Sequence, residues 1–87
     1  MNPTRLSILI YLYLVGSAKF TEIEKALELT PGNLSSHLKK LSELDLVKIK
    51  RGFVDVKPTT VISITSEGSK KVREKLKNFR VLLNEIQ

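Results

Sequence analysis

The sequence predicts an α+β fold that is mainly helical, with one small β-hairpin between three N-terminal helices and a long C-terminal helix. Two observations favour this class. Apolar residues recur at helical spacing in three segments, and two short segments rich in β-branched residues flank a stretch containing Gly, Asp and Pro. With 87 residues, 41% of them hydrophobic, the chain has material for one core and not for two. We therefore expect a single domain, residues 1–87.

The first predicted helix, residues 4–15, is apolar on both sides. One side carries Leu6, Leu9, Ile10, Tyr13 and Leu14, and the other carries Ile8, Tyr11, Leu12 and Val15. A helix that is hydrophobic all round must be covered all round, and a domain of this size has little material to cover both sides. We therefore expect a second copy of the chain to cover one side. Gly16 and Ser17 end this helix.

A short second helix is predicted for residues 20–27, with Thr21 as its N-cap and Glu24 at the reciprocal position of a capping box. A tight connection follows at residues 28–30. Two short helices joined by such a turn are the ingredients of a helix-turn-helix, although many small helical bundles contain the same pair.

The third predicted helix, residues 31–44, has Thr30 as its N-cap and a proline at its first position. Its apolar stripe, predicted to be core, is Leu34, Leu38, Leu41 and Leu44. A helix that enters the DNA major groove needs first turns without bulk and side chains that bond to base edges. The opposite face meets both needs through Gly32, Asn33, Ser35, Ser36, Lys39 and Lys40. The alternative is a solvated helix face.

A β-hairpin is predicted next, with strands at residues 47–50 and 61–64 and a tip between them that contains Arg51, Gly52, Asp55, Lys57 and Pro58. Basic side chains on such a hairpin are placed to contact phosphates or the minor groove beside a reading helix. These predicted contacts are Lys48, Lys50, Arg51 and Lys57. The alternative is a solubilising role, because lysines on an exposed strand also discourage edge-to-edge aggregation.

Residues 66–87 predict a long helix whose apolar residues follow a heptad spacing. This seam either packs on its own domain or joins the two-sided first helix in a dimer, which the two leftover apolar surfaces favour. We therefore interpret residues 66–87 as a dimerisation helix. The predicted dimer interface is Ile8, Tyr11, Leu12, Val15, Val72, Leu76, Phe79, Leu83 and Ile86.

The charge of the chain favours a polyanionic partner. There are 15 Lys and Arg against 9 Asp and Glu, and the whole surplus of +6 lies in residues 39–87. Nucleic acid is the first candidate and an anionic membrane the second. The longest apolar run, Ile8–Val15, is far shorter than the roughly 20 residues that cross a bilayer. No signal-peptide pattern precedes it, so we expect a cytoplasmic protein that neither spans a membrane nor is exported.

Chemistry-bearing groups are sparse in the sequence. There is no cysteine, and the one histidine, His37, is better explained as a packed or hydrogen-bonded boundary residue than as a metal ligand. We find no nucleophile with a matching base and no Gly-rich phosphate loop. We therefore expect no enzyme activity, no cofactor and no metal. Tyr11 and Tyr13 are either plain core or the lining of a cleft for an unidentified small-molecule effector.

The chain resembles the winged helix-turn-helix transcriptional regulators of the MarR/ArsR-like superfamily, especially small stand-alone prokaryotic and archaeal members. The resemblance rests on LTPGNLSSHLKKL at 29–41, GFVDVKPTT at 52–60 and ISITSEGSK at 62–70. It implies a three-helix core, a hairpin wing, a dimer built by the terminal helices, and recognition that includes Pro31. With the cap residue, the predicted set on the third helix becomes Thr30, Pro31, Gly32, Asn33, Ser35, Ser36, Lys39 and Lys40.

The segment at residues 52–60 departs from the resemblance at three positions. Members of the group commonly carry a Gly-Arg-Lys-Pro-Arg-Thr type of run, whereas Asp55, Val56 and Thr59 stand here in place of the glycine and the two arginines. Because phosphate and minor-groove contacts rely on cations, wing binding is expected to be weaker or shared with Lys48, Lys50 and Arg51.

Our first hypothesis is a dimeric, sequence-specific duplex DNA-binding regulator that represses by occluding a promoter. A second is an architectural, chromatin-type protein that coats DNA without sequence preference. The polar rather than wholly cationic reading face disfavours the second hypothesis. A third is a winged-helix module whose basic hairpin binds an acidic protein.

Overall fold

The computed structural model describes residues 1–86, and Gln87, the last residue of the predicted dimerisation helix, lies outside the described part. Four helices and three strands follow one another along the chain. Their order is α1 (Pro3–Val15), β1 (Ser17–Lys19), α2 (Phe20–Leu27), α3 (Pro31–Glu43), β2 (Val47–Val54), β3 (Lys57–Ile64) and α4 (Ser66–Ile86). The strands form one antiparallel sheet with β3 in the centre. The predicted fold class, three helices, a hairpin and a long C-terminal helix, is confirmed.

Helix α1 lies at the centre of the core. The Asn2 side chain caps its N-terminus by accepting hydrogen bonds from the backbone N–H groups of Thr4 and Arg5, at 2.8 and 3.3 Å. The helix contacts α2, α3, α4 and strand β3. Ile8, Leu9 and Leu12 consequently have no accessible surface.

Part of the predicted dimer interface is wrong for this reason. Ile8 and Leu12 on α1, and Val72 on α4, are 0% exposed in the single chain, so they belong to its own core. The domain does hold enough material to cover α1 on both sides along most of its length. The large apolar residues of α1 that stay exposed lie at its C-terminal end, where Leu14 and Val15 are 75% and 50% exposed.

Strand β1 was not predicted. Gly16 ends α1 with φ of +85°, a conformation that suits glycine, and the chain turns directly into residues 17–19. Ala18 pairs with Ile62 of β3, and both are buried. A strand of three residues is too short to show an alternating pattern, so only its pairing with β3 identifies it.

Helix α2 has the predicted bounds and a different cap. Its N-cap is Lys19 rather than Thr21, and the Glu22 carboxylate accepts a hydrogen bond of 2.8 Å from the Lys19 backbone N–H. The predicted pair of Thr21 and Glu24 is therefore wrong by two residues. Strand β1 holds Lys19 in extended geometry, which fixes the start of the helix one residue before Thr21.

Helix α3 begins as predicted. The Thr30 hydroxyl accepts a hydrogen bond of 3.2 Å from the Asn33 backbone N–H, which confirms its role as N-cap. Leu34, Leu38 and Leu41 are buried. The prediction that Leu44 belongs to the same core stripe is wrong, because the helix ends at Glu43 and Leu44 is 58% exposed.

The hairpin is longer than the sequence suggests. Residues 51–54 and 57–60, predicted as a tip, are paired strand that runs outward to a two-residue turn. Asp55 and Val56 form this turn with φ of 51° and 61°, the two positive values of a type I′ turn. Strand β1 pairs with β3 only from Val61 onward, so Pro58 has β2 as its one neighbouring strand. Proline, which lacks a backbone N–H, is tolerated at such an edge position.

Helix α4 is anchored at its first turns and free beyond them. The Thr65 hydroxyl accepts a hydrogen bond from the Gly68 N–H at 2.9 Å and lies 2.7 Å from the Asp45 carbonyl, to which it donates. Gly68 and Val72 are buried, whereas the later seam residues, from Leu76 at 42% to Ile86 at 80%, are exposed. With this helix the chain measures 52 Å along its longest axis and 25 Å along the next.

Candidate nucleic-acid interface

The outer face of α3 is exposed. Burial of Leu34, Leu38 and Leu41 against the core fixes which side of the helix turns outward. All eight predicted contact residues on this helix are exposed: Thr30, Pro31, Gly32, Asn33, Ser35, Ser36, Lys39 and Lys40. The small, polar and lysine-tipped face is therefore available to a partner.

Helical geometry divides this face into three parts, because each residue advances by about 100° around the axis. Ser36 lies directly opposite the buried leucines. Asn33 and Lys40, seven positions apart, share the flank away from the hairpin. Ser35 and Lys39 share the flank toward the hairpin, together with Ser42, a residue that the sequence interpretation did not include.

A groove of about 390 Å³ separates α3 from the hairpin. Its apolar members are Phe20, Leu38 and Ile49, whereas Lys39 and Arg51 place cations on its two sides. The other lining residues are Ser35, Ser42, Glu43 and Thr60. Helix and hairpin thus present basic side chains to one shared concave surface.

Strand alternation separates the basic residues of the hairpin. Val47 and Ile49 turn toward the core, so Arg51, two residues further, lies on the same face and lines the groove with α3. Lys48 and Lys50 lie on the opposite face of the sheet. Lys57, which pairs with Val54, also belongs to that outer face, at its far end. The structure therefore brings Arg51 together with α3, and leaves Lys48 and Lys50 on the other side of the sheet.

One acidic residue shares the outer side of α3. Glu43 lies 3.9 Å from the Lys40 ammonium, and this is the only salt bridge within residues 1–86. Both side chains are more than half exposed, so the pair contributes little to stability. Lys39, Arg51 and Lys57 have no such carboxylate partner in the described chain and keep their charge available to an anion.

His37 links α3 to the first helix. Its Nδ1 accepts a hydrogen bond of 3.2 Å from Nε of Arg5, in a partly buried position. The prediction of a hydrogen-bonded boundary residue is confirmed. Tyr11 and Tyr13 are half-buried and pack against the core cluster, as plain core residues do.

Within residues 1–86 no group of three or more His, Cys, Asp and Glu is placed to hold a metal ion. No helix in this part of the chain combines the length and the apolarity that crossing a bilayer requires.

Residues 4–83 match the family described as winged helix DNA-binding domain. An uncharacterized protein of Methanocaldococcus jannaschii is 37% identical to the chain over 67 residues, which cover 77% of this chain and 73% of that protein. A solved structure of a transcriptional regulator homologue from Pyrococcus horikoshii is also 37% identical. It superimposes with a TM-score of 0.89 over 99% of this chain and 85% of its own.

A second similar structure is a mutant of MepR from Staphylococcus aureus bound to an oligodeoxyribonucleotide. It is 22% identical, with a TM-score of 0.86, and the match covers 99% of this chain and 63% of that one. At this level of identity the likeness concerns the fold.

Proposed function

The chain belongs to the winged helix DNA-binding domain family, and from this premise we propose that it is a dimeric, sequence-specific regulator that represses transcription by occluding a promoter. The family and the similar solved structures support a DNA-binding transcriptional regulator rather than an enzyme. The observation that carries the finer proposal is the exposure of the whole polar face of α3 beside a groove that Arg51 shares.

The proposed reading element is α3, whose 13 residues suit the major groove of B-DNA, about 12 Å wide. Asn33, Ser35, Ser36, Lys39 and Lys40 supply donors and acceptors for base edges, while Gly32 keeps the first turn narrow. Thr30 and Pro31 stand at the helix N-terminus, where backbone N–H groups attract a phosphate. Arg51 of the wing, residues 51–59, then contacts the backbone or the adjacent minor groove.

The proposed dimer uses the apolar surface that the single chain leaves open. Leu76, Phe79, Leu83 and Ile86 form one stripe along α4, and Val15 lies apart from them at the C-terminal end of α1; all of them are at least 42% exposed. Tyr11, which is half-buried, is also part of the proposed dimer interface. The exposed apolar stripe along α4 is best covered by a second copy across a two-fold axis, with α4, the described part of residues 66–87, as the dimerisation helix. The resulting site is a near-palindrome with half-sites about 10 base pairs apart or more.

Selection of bound duplexes from a random pool tests the proposal. We expect an enriched palindromic sequence, and a competition titration in which random DNA displaces it poorly. Enrichment of no sequence, with tight and salt-dependent binding, would assign the architectural role instead. Absence of any salt-dependent binding to duplex DNA would assign the protein-interaction module.

A further inference from the structure

The far end of the hairpin is apolar, which no role within the single chain explains. We use the term wing tip for residues 53–58. Phe53 is 77% exposed, Val54 46% and Val56 92%, although residues of these types are usually buried. Phe53 lies on the sheet face that turns toward α3, Val54 on the opposite face and Val56 in the turn, so apolar side chains surround the end of the hairpin most distant from the core.

The backbone at Val56 adds an independent observation. With φ of 61° this β-branched residue occupies the left-handed region, which costs L-residues about 1–2 kcal/mol and is normally left to Gly, Asn or Asp. Asp55 obeys this preference and Val56 does not. Because its side chain is almost fully exposed, no packing within the chain offsets the strain. Since no contact within the chain stabilises the left-handed backbone of Val56, we attribute the presence of valine at this position to a function of its side chain.

The direction of the wing tip follows from the strand register. Arg51 pairs with Thr60, and Phe53 pairs with Pro58 two positions further out. Both pairs lie on the sheet face that turns toward α3, about 7 Å apart along the strand. Beginning at the groove beside α3, this face therefore presents first a cation and then an aromatic ring.

We propose that the wing tip is an apolar wedge, led by Phe53, that enters the minor groove beside the major groove read by α3 and partly unstacks a base step. The proposal rests on the proposed function, since it concerns the same duplex. Walls of the minor groove are deoxyribose rings, which accept apolar contacts, and inserted Phe, Leu or Ile side chains are known to kink duplexes. The protein then bends its site and favours easily unstacked TA or CA steps under the wing, without hydrogen bonds to those bases.

Charges around the wedge suit this partner. Arg51 lies behind the wing tip and Lys57 lies within it. Neither has a carboxylate partner within the described chain, so both are available to the phosphates that border the groove. The Asp55 carboxylate at the turn repels phosphate and offsets part of the attraction that Lys57 provides. The contribution of Phe53 comes from apolar contact and is therefore independent of salt concentration.

The test uses the full chain and its selected duplex, labelled with 2-aminopurine at each step under the wing and with a donor–acceptor dye pair at the ends. Phe53→Ala is expected to weaken binding about five- to 150-fold, the loss that removal of one base–aromatic stack produces. It should also abolish the 2-aminopurine signal and the bend, and leave the salt slope unchanged. Phe53→Leu, which keeps an apolar wedge, should retain most of both signals. Leu44→Ala is the matched control, because it removes an exposed apolar side chain at the end of α3, at the opposite end of β2 from the wing tip.

Val56→Gly distinguishes a role in DNA binding from a role in stabilising the fold. If Val56 stabilised the fold, the substitution would lower Tm. Release of the strained conformation should raise Tm by about 4 °C, whereas loss of the apolar contact should weaken DNA binding about tenfold. A rise in Tm with unchanged binding and unchanged bend would overturn the wedge.

Failure of the wedge is distinguishable from failure of the proposed function. If the wild-type chain selects no sequence, the proposed function fails and the wedge with it. If it selects a site, and Phe53→Ala binds and bends that site like the wild type, the wedge alone is wrong. If Phe53→Ala instead changes the oligomeric state in sedimentation and leaves the bend intact, the wing tip serves a contact between proteins and the wedge is likewise overturned.

Discussion

Gly68, in the first turn of α4, lies directly against the backbone carbonyl of Leu46, so closely that a side chain at Gly68 would overlap the carbonyl oxygen. A Cβ at this position would also lie 2.8 Å from Cγ1 of Ile64. The contact joins the turn after α3 to the start of α4. It therefore sets the position of the proposed dimerisation helix relative to the proposed reading helix.

We expect Gly68→Ala to lower the free energy of unfolding by about 1–3 kcal/mol, because backbone atoms cannot yield to the added methyl group as a flexible side chain would. Urea unfolding at matched protein concentration measures the change. Gly32→Ala is the control, since nothing lies within 4 Å of a Cβ there and alanine is the better helix former. Equal stability of the two variants would show that α4 shifts freely at this point.

Asn33→Ala and Ser36→Ala should each reduce the discrimination between the selected site and random duplex by about 1–3 kcal/mol, the value of a good base contact. Their stability should stay unchanged, since both side chains are exposed. Fluorescence anisotropy on the two duplexes gives the difference, and Ser7→Ala on α1 is the control for a lost hydroxyl. Equal losses on specific and random DNA would remove base reading from α3.

Arg51→Ala should weaken binding evenly across sequences and flatten the slope of log K against log salt by about 1, since one phosphate contact is lost. Lys57→Ala, at the tip, should act in the same direction. Lys50→Ala removes the same charge one residue away on the opposite sheet face and should leave the slope almost unchanged. Titrations at several salt concentrations measure all three, and a larger effect of Lys50 than of Arg51 contradicts the assignment of faces.

Phe79→Glu should shift the chain from dimer to monomer, because it places a charge in the centre of the apolar surface of α4. A loss of about 2 kcal/mol or more in dimer free energy is typical of a central aromatic residue at an interface. Sedimentation equilibrium measures it, together with reduced affinity for paired half-sites. Val54→Glu alters a residue of similar exposure, 46% against 52%, at the far end of the hairpin and should remain dimeric. A monomeric wild type would refute the dimer itself.

Local signals in the sequence predicted much of this architecture. The spacing of Leu34, Leu38 and Leu41 requires a helix with one buried stripe, and Thr30 followed by Pro31 marks its start, because cap chemistry acts within a few residues. The exposed polar face of α3 is the consequence of that stripe. Gly16 similarly marks the end of α1, since few other residues adopt its conformation.

Other features were decided by contacts between distant segments. Strand β1 exists through its pairing with β3, and the hairpin extends to Asp55 and Val56 because each cross-strand pair supports the next, although no Asn-Gly or Asp-Gly signal marks the turn. Ile8 and Val72 look like interface residues when each helix is considered alone. They are core because α1 and α4 pack against each other within one chain.

The amino-acid sequence by itself thus determined where α1 and α3 begin or end, which side of α3 is apolar and where positive charge accumulates. These features depend on neighbours three or four positions away. Only the tertiary structure decided which lysines share a side with α3, which apolar residues stay uncovered, and that Gly68 must be a glycine. Those properties depend on how sheet, hairpin and last helix meet in space, and the pattern within any one segment does not contain that information.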